Sequence, residues 1–141
     1  WTYKFKKKNG REDLVLNLIF KQNQLTKIQY PKELAQLFEG YLITQAFESI
    51  SKGTYVKSQN TFIPGNIKNL DKSRLPNKEA VINRLGKPST TKLTPSTEEL
   101  SYIYNVEGSN KEVVISFDYS SSKLKRVSGN LFGPHIAFGF K

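Results

Sequence analysis

Two stretches of the chain alternate hydrophobic and polar residues, one near each end. The apolar members of this alternation are Leu14, Leu16, Leu18 and Phe20 in the first stretch and Val113, Ile115, Phe117 and Tyr119 in the second. Successive side chains of a β-strand point to opposite faces of a sheet, so each stretch predicts a strand with one buried face. Turn-forming residues such as Asn9-Gly10 separate these strands from shorter alternating segments beside them.

Each end of the chain therefore predicts a three-stranded antiparallel meander. The predicted strands are 2–6, 13–20 and 25–30 in the first meander and 100–106, 112–119 and 123–128 in the second. The connections between them are short and rich in Asn, Gly and Ser, which are residues that favour turns. Consecutive strands joined by such short turns pair antiparallel.

The two meanders align with each other when the chain is shifted by 99 positions. Residues 1–5 then lie over 100–104, and residues 14–18 lie over 113–117. The apolar and polar classes agree nearly throughout, and no gap is introduced. We interpret this agreement as an internal structural repeat.

Apolar residues recur at helical spacing in the segment between the meanders. Pro31 suits the first position of a helix, and the apolar residues of 32–50 return every three or four positions. Gly40 lies inside this segment and disfavours a helix by about 1 kcal/mol relative to Ala. We therefore predict a helix over 32–50 with a break or kink at Gly40.

A second, shorter helix is predicted over 78–85. Asn77 is a favourable N-cap, because its side chain can accept a hydrogen bond from the first turn. Gly86 suits the left-handed position at the end of the helix, and Pro88 prevents its continuation.

The remaining segments carry weaker patterns. Residues 54–76 are predicted to be irregular, apart from a brief pairing of 54–56 with 61–63. The C-terminal residues 130–141 are predicted to form an extended arm or a last short strand.

Together these elements predict an α+β fold with the order βββ-α-α-βββ. Two three-stranded antiparallel meanders are related by the repeat, and the helices between them pack on one face of the sheet. Residues 1–30 would form the first meander as a partial repeat unit, and residues 31–141 an ααβββ unit with a C-terminal arm. At this length we expect both to belong to one compact structural domain.

The composition excludes several kinds of chemistry. The chain has 141 residues and contains neither Cys nor Met. Disulfides, cysteine-based zinc sites and cysteine nucleophiles are therefore excluded. The missing methionine, at the first position as elsewhere, indicates a processed or excised chain. No apolar run approaches about 18 residues, so no transmembrane helix is predicted.

The charge balance points to an anionic partner. Lys and Arg number 22 and Asp and Glu 12, which gives a net charge of +10. Residues 6–8 are three consecutive lysines, which the pattern places at a hairpin tip. Lys outnumbers Arg in the chain, whereas specific nucleic-acid recognition favours Arg. Lipid headgroups or an acidic protein surface are therefore favoured over nucleic acid.

The sequence offers no recognisable catalytic set. His135 is the sole histidine and lies between Pro134 and apolar residues. The adjacent Glu98 and Glu99 would point to opposite faces of a strand, so they would not form an acid pair. Neither a nucleophile elbow nor a phosphate-binding glycine loop is present. We expect no enzymatic activity, no metal site and no cofactor.

Residues 75–89 carry a family resemblance. They contain a short helix with a central Val that ends in Leu-Gly-x-Pro. After them the chain continues with an irregular span, a strand with a central Tyr and a strand ending in Phe-Asp-Tyr. This arrangement resembles the SmpA/OmlA (BamE-like) family of small bacterial outer-membrane lipoproteins. It also resembles the wider ααβββ superfamily that includes the β-lactamase inhibitory proteins, in which the unit occurs in tandem. The match covers residues 32–128, and its motif residues are Val81, Leu85, Gly86, Pro88 and Tyr102.

The resemblance implies a location and a type of function. It implies a periplasmic protein anchored to the outer membrane through an N-terminal lipid, which binds envelope proteins during outer-membrane assembly or maintenance and has no small-molecule substrate. Two alternatives stay open: a protein inhibitor of an enzyme, of the β-lactamase-inhibitory type, and a module that binds anionic lipid or nucleic acid through its basic surface. The candidate partner contacts are Trp1, Lys6, Lys7, Lys8, Tyr55, Phe62, Phe132, Phe138 and Phe140.

Overall fold

A computed structural model describes residues 2–7, 14–131 and 133–140 of the chain. The strands are β1 (Thr2–Lys7), β2 (Leu14–Lys21), β3 (Gln24–Gln29), β4 (Thr54–Val56), β5 (Thr61–Ile63), β6 (Thr90–Leu93), β7 (Thr97–Val106), β8 (Ser109–Asp118), β9 (Leu124–Gly129) and β10 (His135–Gly139). The α-helices are α1 (Lys32–Leu37), α2 (Gly40–Ser51) and α3 (Lys78–Leu85). Two single 3₁₀ turns, Lys57–Gln59 and Lys72–Arg74, lie in the connections.

The described strands form one sheet of ten strands. Their order is β3-β2-β1-β7-β8-β9-β10-β5-β4, and β6 pairs with β7 on the edge that β7 also offers to β1. All of the pairs are antiparallel except that of β10 with β5, which is parallel. The predicted class, an α+β fold with a mostly antiparallel sheet and few helices, is confirmed.

The strand pairs of β1–β2–β3 correspond to those of β7–β8–β9. Tyr3 pairs with Leu16 in the first meander, and Tyr102 pairs with Val113 in the second. In both, the pairing between the second and third strands shifts by one residue, which leaves Thr26 in β3 and Lys125 in β9 as the extra residue of a β-bulge. The two meanders therefore share their register as well as their direction.

The correspondence requires a correction to the ungapped alignment. The outer strands match at a shift of 99, as predicted, but the middle strands match at a shift of 97, which places Phe20 over Phe117. The predicted alignment had placed Phe20 over Tyr119. A displacement of two residues keeps every side chain on the same face of a strand, so the apolar alternation agreed equally well with either alignment.

The meanders meet at a short seam between β1 and β7. Lys6 pairs with Asn105, and Lys7 pairs with Tyr104. Because Lys6 and Asn105 are themselves 99 positions apart, a local two-fold axis passes through their pair and relates one meander to the other. The two halves thus form a continuous surface of six strands.

The core lies between the second meander and two of the helices. Val81 of α3, Tyr102 of β7 and Phe117 of β8 are fully buried, and Leu37 of α1 packs in the same cluster. Leu16 of β2 also packs against this cluster, so both meanders direct the same face towards the helices. We call it the helix side.

The third helix begins and ends where the sequence predicts. The side chain of Asn77 accepts a hydrogen bond of 2.8 Å from the backbone N–H of Ala80. Gly86 closes the helix with φ of 79°, a conformation that glycine adopts without steric cost. The break predicted at Gly40 is confirmed, since α1 stops at Leu37 and Gly40 opens α2.

The element order is richer than predicted. The brief pairing of 54–56 with 61–63 is confirmed as β4 and β5. Strand β6 was missed, and so was the parallel pairing of β10 with β5, which continues the sheet beyond β9. The order βββ-α-α-βββ is therefore wrong in detail, because short polar segments form strands when a long neighbour offers a free edge.

The corresponding phenylalanines Phe117 and Phe20 provide a test of this packing. Phe117 is fully buried, whereas Phe20 is 42% exposed. We expect Phe117→Ala to lower the free energy of unfolding by about 3–5 kcal/mol, because it leaves a cavity in the core. Phe20→Ala should cost about 1 kcal/mol. Urea unfolding monitored by circular dichroism measures both changes, and equal losses would contradict the assignment of the core.

Candidate protein-binding site

The face opposite the helix side is the candidate site. We call it the open face, and it is formed by the strand positions that alternate with the buried ones. Lys4 and Lys6 of β1 lie on it and are exposed, and Ile103 and Asn105 of β7 lie beside them and are half-buried. Among the described positions of the two meanders on this face, Ser116 alone is buried.

Charge is distributed unevenly over the open face. The first meander contributes Lys4, Lys6, Lys21 and Lys27 to this face, and the described residues 2–7 and 14–32 contain no acidic residue. The second meander contributes acidic groups to the same face, at Glu99, Glu112 and Asp118. The sheet therefore has a basic half and a half of mixed charge.

A shallow depression lies over the seam. Its lining residues are Thr2, Lys4, Lys6, Asn105, Glu107 and Gly108. Gly108 has φ of 82°, and its N–H donates a hydrogen bond of 3.2 Å to the side-chain oxygen of Asn105. The tight turn between β7 and β8 thus holds Asn105 beside the two lysines of β1.

The lysine candidates occupy a different place from the one predicted. Lys6 and Lys7 lie within β1, at the seam with β7, and not at a hairpin tip. The strand continues past the predicted end because β7 supplies a second partner for its backbone. Lys8 and Trp1 lie outside the described residues.

Most of the aromatic candidates are packing residues. Tyr55 is 50% exposed, and its hydroxyl donates a hydrogen bond of 2.9 Å to the side-chain oxygen of Asn60. Phe62 and Phe138 are half-buried, and Phe140 is partly buried against the core. The C-terminal segment pairs with both β9 and β5, and this turns its aromatic side chains inward. Phe132 lies outside the described residues.

The motif residues form a buried joint between helix and sheet. The hydroxyl of Tyr102 donates a hydrogen bond of 2.9 Å to the carbonyl oxygen of Gly86, the residue that ends α3. Val81 is fully buried, and Leu85 and Pro88 are half-buried. Burial raises the pKa of Tyr102 to about 12, with a smaller contribution from Tyr104. These residues hold α3 on the helix side and so leave the other face open.

Glu98 and Asp118 are each held by specific partners. Glu98, on the helix side, forms an ion pair of 2.6 Å with Lys78, and its neighbour Glu99 lies across from Lys92 on the open face. At the end of β8, the hydroxyl of Ser120 and the backbone and hydroxyl of Ser121 lower the pKa of Asp118 to about 2. Asp118 was missed as a feature of the site, although Asp followed by two serines in a turn is a recognisable Asx-turn signal.

Two further observations concern metals and membranes. Within residues 2–7, 14–131 and 133–140, no group of three or more His, Asp or Glu side chains is placed to hold a metal ion. In the same residues, none of the helices combines the length and apolarity needed to cross a bilayer.

The pKa values of the buried tyrosines predict sensitivity to alkali. Burial raises the pKa of both Tyr102 and Tyr104 to about 12 in the fold, from the ordinary tyrosine value of 10.0. The stability that these two neutral, buried tyrosines contribute to the fold is fully present below pH 10 and is lost as the pH rises through 12. We expect the free energy of unfolding of Tyr102→Phe to be about 1 kcal/mol lower than that of the wild type at neutral pH, because the hydrogen bond to Gly86 is missing. Between pH 10 and 12, the free energy of unfolding of this variant should fall by less than that of the wild type.

Urea unfolding at neutral and alkaline pH tests this expectation. Tyr119→Phe is the matched control, because Tyr119 is 58% exposed. This variant should leave unchanged both the free energy of unfolding at neutral pH and its fall at alkaline pH. A wild-type unfolding free energy that stays constant from pH 10 to 12 would contradict the burial of the two tyrosines.

Comparisons with known proteins return no family model, no curated protein and no solved structure that matches the chain.

Proposed function

We propose that the chain is a non-enzymatic, protein-binding module of the bacterial envelope and that its open face is the contact surface. The observation that carries this proposal is the contrast between the two faces of one sheet. The core residues and helices α1 and α3 occupy the helix side, whereas the open face presents lysines, amides and half-buried aliphatic side chains over six strands.

The open face has the properties of a protein-binding surface. Backbone pairing within the sheet and the packed helices beneath it keep the contact groups in place, which lowers the entropic cost of association. Its half-buried aliphatic residues, Val15, Ile19, Ile103 and Val114, can be desolvated by a partner, while the lysines at one end provide electrostatic steering.

The finer assignment follows the resemblance of residues 75–89. The shared register of the two meanders supports an internal repeat of the tandem ααβββ kind. The joint between Tyr102 and Gly86 supports a structural role for the motif residues. On this basis the module acts in the periplasm, attached to the outer membrane by a lipid, and serves outer-membrane assembly or maintenance. An inhibitor that docks on an enzyme would use the same open face.

A second candidate function is binding to an anionic surface. The observation in its favour is the basic half of the sheet, where Lys4, Lys6, Lys21 and Lys27 are exposed and Glu107 of the turn between β7 and β8 is the acidic residue that lines the depression with Lys4 and Lys6. Each lysine contributes about 1 kcal/mol near an anionic membrane, and such binding weakens steeply with salt.

Charge reversal on the open face tests the proposed function. We expect the wild-type chain, chemically cross-linked in bacterial envelope extracts, to capture a defined set of proteins. The double variant Lys4→Glu/Lys6→Glu should capture at least tenfold less of these proteins than the wild type does, because its new negative charges oppose the partner's charge at the centre of the contact. The matched control is Lys57→Glu/Lys72→Glu, which changes two exposed lysines of the 3₁₀ turns and should capture as the wild type does.

The same variants separate the two candidates. Equal capture by the wild type and both variants would contradict protein binding through the open face. Binding to phosphatidylglycerol vesicles that disappears by about 200 mM salt, and with Lys4→Glu/Lys6→Glu, would favour the anionic surface instead.

A further inference from the structure

The outer edge of β3 differs from the edge that corresponds to it in the second meander. At the shift of 99 that relates the outer strands, β3 corresponds to β9. The edge of β9 that faces away from β8 is occupied by β10, which pairs antiparallel with it from Gly129 to Arg126. Among the described strands, β3 pairs with β2 alone and so ends the sheet. The same strand is therefore interior in one meander and an edge strand in the other.

Backbone hydrogen bonds show which groups of β10 point to β9. Phe140 donates its N–H to the carbonyl oxygen of Lys125, the extra residue of the bulge in β9, at a distance of 2.8 Å. The N–H of His135 points the other way and donates to the carbonyl oxygen of Asn60, at 2.9 Å. Because these directions alternate along a strand, the N–H of Phe138 also points to β9.

The same reasoning gives the groups that β3 directs outward. Phe138 pairs with Val127, so the N–H and C=O of Val127 point to β10 and away from β8. Ile28 occupies the corresponding position in β3, and its N–H and C=O therefore point away from β2. Within residues 2–7, 14–131 and 133–140, no backbone group is placed to pair with them. In its described part, the first meander is thus without the strand that completes the second.

The side chains of β10 show what kind of strand suits such an edge. Its residues on the helix side are apolar and partly buried, and they are Ile136, Phe138 and Phe140. Ala137 and Gly139 alternate with them and point to the open face. A strand added to β3 in the same way would place its apolar side chains on the helix side, beside Ile28.

Lysines on the open face select the charge of the added strand. Lys27 of β3 pairs with Ile19, and Lys21 of β2 pairs with Gln24, so both lysines lie on the open face. Both are exposed, and residues 14–32 contain no acidic residue. Acidic side chains at the open-face positions of an added strand are therefore attracted to this edge.

The same lysines disfavour a second copy of the chain. Two β3 strands paired antiparallel would bring Lys27 of both copies onto one face, and each chain carries a net charge of +10. Like charges on neighbouring strands are destabilising, and a lysine on an edge strand is a common means of preventing self-association. Complementary charge thus favours a different protein at this edge.

We propose that the outer edge of β3 is a strand-addition site for an extended segment of another protein, in which apolar residues alternate with acidic ones. The segment pairs antiparallel with β3, as β10 pairs with β9, so that its apolar residues lie beside Ile28 and its acidic residues beside Lys27. This inference rests on the proposed protein-binding function and adds a contact at the edge of the sheet to the contact on its open face.

A peptide derived from β10 provides the probe. The acidic peptide has the sequence of residues 134–140 with Ala137→Glu and Gly139→Glu, and the basic peptide has Lys at both positions. Both peptides are blocked at their ends and carry the same fluorophore. Fluorescence anisotropy measures their binding to the full chain at low salt. We expect the acidic peptide to bind at least tenfold more tightly than the basic one.

Methylation of single peptide nitrogens tests the backbone pairing. N-methylation at Phe138 of the acidic peptide removes a donor that points to the neighbouring strand and places a methyl group between the two strands. N-methylation at position 137 changes an N–H that points away, and is the matched control. We expect the first change to weaken binding at least tenfold and the second to leave the affinity within about twofold.

Charge reversal in the chain separates the edge of β3 from that of β9. Lys27→Glu should lower the affinity for the acidic peptide at least fivefold, because it opposes the charge of the peptide. The matched control is Arg126→Glu, since Arg126 is exposed at the corresponding position of β9. It should bind the peptide as the wild type does, because β10 already occupies that edge. Circular dichroism establishes that both variants are folded.

Several results would overturn the inference. Equal affinity for the acidic and basic peptides, equal loss on N-methylation at either position, or unchanged affinity in Lys27→Glu would each contradict strand addition at β3. Weaker binding in Arg126→Glu alone would show that the peptide displaces β10. A dimer in sedimentation that the acidic peptide dissociates would assign the edge to a second copy.

The proposed function is tested separately by Lys4→Glu/Lys6→Glu, on the open face. Absence of peptide binding, together with capture of envelope proteins that Lys4→Glu/Lys6→Glu abolishes, would refute the edge site alone. Peptide binding that depends on Lys27, together with equal capture by the wild type and both double variants, would retain the edge site and refute the open-face contact.

Discussion

The sheet depends on the seam at which β1 pairs with β7. The pairs Lys6–Asn105 and Lys7–Tyr104 join the first meander, which would otherwise be a separate three-stranded sheet, to the seven-stranded sheet that contains the second. Since directly paired residues lie on the same face of a sheet, the seam also aligns the helix sides of the two meanders. Every larger feature follows from this alignment: one core, one open face and a local two-fold axis between the halves.

The two meanders have the same backbone pairing and different surroundings. Helices α1 and α3 bury Phe117 and Ile115 in the second, while Phe20 in the first remains partly accessible. The bond between Tyr102 and Gly86 holds α3 at its place and therefore maintains this asymmetry. The face that the helices leave open is the surface that we propose for protein binding.

Much of the local structure was predictable from the sequence. The bounds of α3 agree with the prediction because its signals, the Asn77 cap and Gly86, act within one or two turns. Alternation predicted the six meander strands to within a few residues. Strands β6 and β10 were harder to predict, because a short strand is stabilised by a distant neighbour that supplies its hydrogen bonds. The inward turn of Phe138 and Phe140 follows from that same pairing.

The sequence by itself determined which side chains share a strand face, where α3 begins and ends, and that the first meander is rich in lysine and the chain free of cysteine. Only the tertiary structure decided that Lys6 lies in a seam, that the middle strands match at a shift of 97, and that Phe20 and Phe117 differ in burial. The physical reason is the range of the interactions. Alternation and capping act between near neighbours in the chain, whereas burial depends on which distant segment packs against each face.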